Sequence, residues 1–89
     1  MQGGEALAAA IGQIEDRLRR ARADSIGPTR TAVDDLFGGI LTRTTGHDDV
    51  MRVEGARILC FLYLSEVESG KRSAGLQIAL NSLRHLREP

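Results

Sequence analysis

Seven consecutive apolar residues, Ile58-Leu59-Cys60-Phe61-Leu62-Tyr63-Leu64, constrain this chain more than any other feature. A helix that lies on a surface is apolar along one stripe, and a helix apolar all round must be covered all round. The run therefore predicts a helix buried on every side, covered by the rest of the chain or by a second copy of it. It is also far shorter than the roughly 20 residues that a membrane-spanning helix needs.

At 89 residues the chain has the length of one small domain. Its apolar fraction, 42%, is ordinary, but only 3% of its residues are aromatic. Leu, Ile, Val and Ala must then build the core, and each buries less surface than a ring. A thin core in a small domain favours recruiting a partner copy. Twelve basic and twelve acidic residues cancel, so no global field draws the protein to nucleic acid or to a membrane. The lone cysteine, Cys60, excludes an internal disulfide. No positive charge precedes Arg17, so the start does not read as a signal peptide, and the expected location is cytoplasmic.

Residues 1–4 read as a frayed end, and 5–89 as a single helical domain. Leu7, Ile11, Ile14, Leu18 and Ala21 alternate spacings of four and three, the seam of a short coiled coil, and predict a helix over 5–24. Glu15 with Arg19, and Asp16 with Arg20, are placed to pair along its polar side. Gly27-Pro28 breaks the pattern. A second helix over 28–44 carries Val33, Leu36, Phe37, Ile40 and Leu41. Gly38-Gly39 in its middle costs about 2 kcal/mol relative to alanines, which predicts a close neighbouring backbone, a kink or an early end. Thr45 or Asp48 is the expected cap of a third helix, over 48–69 and containing the apolar run. Gly70 suits the position just past its end. Leu76, Ala79, Leu80, Leu83 and Leu86 give a clean stripe for a fourth helix over 73–87, with Arg84, Arg87 and Glu88 facing water. Four helices with short joints and no alternating strand pattern predict an all-α, compact antiparallel bundle with the third helix central and buried.

Catalytic and metal chemistry find little support. His47-Asp48-Asp49 are adjacent in sequence and do not converge on one ion, and a zinc site needs three or four ligands with some at helical spacing. Asp34 and Asp35 diverge by about 100° on a helix. Cys60 lies among apolar neighbours, with no base at hand, and behaves as a small hydrophobe. His85 sits where a cation meets the end of a helix dipole, with no partner in view. Gly38-Gly39 lacks the Lys-Ser/Thr continuation of a phosphate loop. The expectation is a non-enzymatic protein without a metal, a cofactor or a small-molecule substrate.

The sequence offers more apolar helix faces than one small core needs. This points to a protein–protein interaction module: a small homodimeric adaptor, chaperone or regulator, of the kind found in bacteria or their phages. It would bury an apolar face centred on helix 3 or helix 1 against a partner. Leu7, Ile11, Ile14 and Leu18 are the expected contact stripe, with Arg17, Arg19 and Arg20 as its polar rim. Small pairs at i,i+4, Ala8 with Gly12 and Gly75 with Ala79, would let backbones approach there or inside the bundle. The alternative is a DNA-binding regulator with a helix-turn-helix at 64–87, reading bases through Lys71, Arg72, Gln77, Asn81 and Arg84. Glu66 and Lys71 stand where that motif favours a small and an apolar residue.

Overall fold

The computed structural model describes residues 4–71 and 74–88. These form four helices and no strand: α1 (Gly4–Arg19), α2 (Ile26–Thr42), α3 (His47–Glu68) and α4 (Gly75–Arg87), with a 3-10 turn at Ala23–Ser25 between the first two. The all-α bundle is the architecture that the helical spacings predict. Its neighbours run antiparallel. Arg30 reaches Ser65 and Glu68 while Asp34 meets Arg57, so α2 and α3 run in opposite directions. Arg52 donates to the His85 carbonyl, and Tyr63 shares a recess with Leu76, which sets α4 antiparallel to α3. Glu15 meets Arg87 while Arg19, further along α1, shares a groove with Gln77, which sets α4 antiparallel to α1 as well.

The chain closes a square in which each helix packs on two neighbours, α1 on α2 and α4, and α3 on α2 and α4. The core is the inner stripe of all four. Ile11, Ile14 and Leu18 meet Val33 and Phe37, Cys60 and Leu64, and Leu83 in one cluster. In a square no helix is central, and every helix keeps an outer side. Of the two covers expected for α3, the chain itself therefore supplies one only in part. It buries Val53, Ala56, Cys60 and Leu64, while Ile58 and Leu62 of the seven-residue run lie on the outside.

The helix ends follow local chemistry. α1 stops at Arg19, short of the expected residue 24, and Arg22 is already extended (φ −136°, ψ 151°). α2 begins two residues before Pro28, which sits in the first turn, where its missing N–H has no intrahelical partner to lose. Gly46 (φ 97°), not Thr45 or Asp48, is the N-cap of α3, and Asp48 and Asp49 fall inside the first turn. Gly70 (φ 75°) ends α3 as expected. Its N–H donates to Val67 O at 3.0 Å and that of Lys71 donates to Glu66 O at 2.9 Å, the paired bonds of a Schellman ending. α2 runs unbroken through Gly38-Gly39, and a Cβ at either glycine would meet nothing within 4 Å. The structure holds neither the close neighbour nor the early end that these glycines predict.

Candidate functional site: the outer face of α3

At about 100° per residue, Val53, Ala56, Cys60 and Leu64 fall within roughly 80° of one another and form the buried stripe of α3. Met51, Gly55, Ile58 and Leu62 fall within roughly 60° on the opposite side. Met51 and Ile58 are each 58% exposed and Leu62 is 57% exposed. Ile78 of α4, 50% exposed, stands at the level of Leu59, given the register that Arg52 and Tyr63 set between α3 and α4. These four are the large exposed apolar side chains of the described residues. Scattered exposed apolar residues are ordinary, whereas Met51, Ile58 and Leu62 align on one helix face.

The seam has polar edges. Asp48 and Ser65 continue it at its two ends, and both are exposed. Glu54 and Glu66 flank it, and no ion pair is formed by either or by Asp48 among the described residues. Arg57 is already held by Asp34 at 2.7 Å and stacks over the Phe61 ring at 5.0 Å. Arg52 is held by the His85 carbonyl at 2.7 Å.

The contact stripe expected on helix 1 is corrected by its burial. Ile11, Ile14 and Leu18 have no exposed surface, and Leu7 is packed against the same core. Their coiled-coil spacing is satisfied inside the chain, so Ile11, Ile14 and Leu18 offer no surface to a partner, and Leu7 is left half-buried. Arg17, Arg19 and Arg20 are exposed, but α1 lies diagonally across the square from α3, and they do not rim its outer face. Arg20 pairs with Asp16 as expected. Glu15 does not take Arg19. Both its carboxylate oxygens accept from Arg87, at 2.6 and 2.9 Å, so Arg87 is tied into the bundle instead of facing only water.

The residues of the DNA-binding alternative are partly assembled. Gln77, Asn81 and Arg84 share a polar groove between α1 and α4 with Arg19, and Gln77 donates to Asn81 at 3.0 Å. Lys71 is exposed beside Gly70, and Arg72 lies outside the described residues. A helix-turn-helix crosses its two helices at about 90–120°, whereas α3 and α4 lie side by side along their length. Gly12 faces the Arg87 guanidinium at 3.6 Å from where a Cβ would stand, so that small residue serves the α1–α4 contact.

Reactive groups are not brought together. Burial pushes the Cys60 thiol up to about 12, which keeps it protonated and unreactive. Among the described residues no three His, Cys, Asp or Glu side chains gather as a metal ion would need. None of the described helices is long and apolar enough to cross a membrane. The chain matches no protein-family model, and no curated protein or solved structure shows significant similarity to it.

Proposed function

We propose that this protein is a non-enzymatic interaction module, an adaptor, chaperone or regulator, which works as a homodimer by burying the outer face of α3. The observation that carries this reading is the seam of Met51, Ile58 and Leu62, more than half exposed and set directly opposite the core stripe of the same helix. Fully burying such a side chain is worth about 1.5–3 kcal/mol, so each half-exposed one leaves roughly 1 kcal/mol to gain. With Ile78, two copies have roughly 8 kcal/mol to gain, enough to offset the lower part of the ~4–15 kcal/mol that association costs. A weak, reversible dimer is the outcome.

Light scattering and sedimentation of the wild type at tens to hundreds of micromolar test this. A concentration-dependent dimer is expected, and Ile58→Asp with Leu62→Asp should return it to monomer with its helical content intact. A wild type that stays monomeric throughout this range, or a double variant that still dimerises, refutes the reading. Binding of duplex DNA through the α1–α4 groove is the competing reading. It has Arg19 and Arg84 beside Gln77 and Asn81 in its favour. Salt-sensitive retention on DNA, lost in Arg19→Glu/Arg84→Glu, would decide for it.

A further inference from the structure

The outer seam of α3 is a palindrome. Asp48, Met51, Gly55, Ile58, Leu62 and Ser65 are spaced three, four, three, four and three, symmetric about the peptide between Ala56 and Arg57, and all six are exposed. We infer that two copies pair through α3 in antiparallel register about a twofold axis at that point, each copy's Ile58 seated on the other's Gly55. This inference rests on the dimer reading above.

In that register every position meets a complementary one. Met51 faces the second copy's Leu62, and Gly55 faces its Ile58, the alternation of small and large that fills a helix interface. Asp48 faces Ser65. The Ser65 Oγ accepts from Arg30 at 3.1 Å, which leaves its hydroxyl proton to donate to the carboxylate of the second copy. The parallel arrangement fails at the same positions. It sets Gly55 against Gly55, leaving a void, and Asp48 against Asp48, placing like charges together. Gly55 also has no explanation inside the chain. It lies mid-helix, exposed, and a Cβ there would meet nothing within 4 Å. Gly38 and Gly39 are equally open, but only Gly55 lies on the seam, where the space beside it would be filled by the second copy's Ile58.

Cysteine cross-linking reads the register directly. Met51→Cys and Leu62→Cys are made as separate variants, with Cys60 left in place because it has no exposed surface. Under mild oxidation the mixture of the two is expected to form the mixed disulfide, and neither variant alone to cross-link to itself. Self-linkage of Met51→Cys or of Leu62→Cys would mean a parallel pair or a different antiparallel register, and would overturn the inference. A dimer by light scattering that gives no cross-link at all would overturn both register and face. A monomer in light scattering removes the dimer reading itself. As a second variant, Gly55→Leu adds apolar surface and a better helix former, so it should fold at least as well as the wild type. If Gly55 is the seat of Ile58, it nevertheless weakens the dimer tenfold or more. Stronger association of Gly55→Leu would mean that the face is merely sticky, and the seat does not exist.

Discussion

The Glu15–Arg87 pair ties the middle of α1 to the last turn of α4, and its two ends are unequally exposed. The Glu15 side chain keeps 11% of its surface, whereas that of Arg87 keeps 38%. Replacing Arg87 with Met removes two charge-assisted hydrogen bonds and leaves a carboxylate in a nearly closed site. Breaking a fully buried pair costs about 3–5 kcal/mol, and exposed pairs are worth about 0–1 kcal/mol. With one partner buried and the other over a third exposed, about 2 kcal/mol is expected for Arg87→Met. In a domain of this size that lowers the melting temperature by roughly 8–16 °C. Glu15→Gln should cost less, about 1 kcal/mol, because the freed guanidinium can turn into water. In the double variant the two losses should fail to add by about 1 kcal/mol, since the second substitution removes a contact that is already gone. Thermal and urea unfolding of the four proteins close the cycle. Additive losses, or a Glu15→Gln more damaging than Arg87→Met, would refute the reasoning, because the first denies the contact and the second denies the burial asymmetry.

Gly38→Ala and Gly39→Ala should each raise stability by about 1 kcal/mol, because the helix is continuous there and a Cβ at either site finds open space. A loss on thermal melting would show that α2 needs the glycines. The Cys60 thiol, pushed by burial in the folded state up to about 12 from its ordinary value of 9.0, stays protonated when the unfolded chain ionises. The unfolded state then binds fewer protons, so stability is full below pH 9 and falls as pH rises from 9 toward 12, by up to about 1.4 kcal/mol per unit. Urea midpoints at pH 8 and pH 10.5 for the wild type and Cys60→Ala test this, since the variant should lose that part of the slope.

Much of this fold can be read from spacing alone. The α4 stripe, the Gly70 ending and the α1 seam are local patterns, and local patterns were enough to place them. What failed was the choice of partner. Glu15 has Arg19 one turn away, but it faces α4 and binds Arg87, 72 residues along the chain. Spacing on one helix cannot show which neighbour the next helix will offer. The seam of helix 1 shows the same limit. A regular apolar seam says that something covers it, not whether the cover is the chain's own α2 and α4 or a second molecule. For α1 the cover is internal, and all of Ile11, Ile14 and Leu18 disappear beneath it.

The apolar run of α3 shows the converse case. Its residues spread round the whole helix, and four helices in a square cover only its inner side and, in part, the flanks that carry Leu59, Phe61 and Tyr63. Cys60 and Leu64 go inward, and Ile58 and Leu62 remain outside with Met51. This division separates stability from association. A charge at Leu18 or Leu64 enters the core and endangers the fold, whereas a charge at Leu62 meets water in the single chain and matters only where another molecule would sit. Substitutions on the outer seam therefore come at little cost to the bundle beneath it. That independence is what the proposed dimer would require of the face it buries.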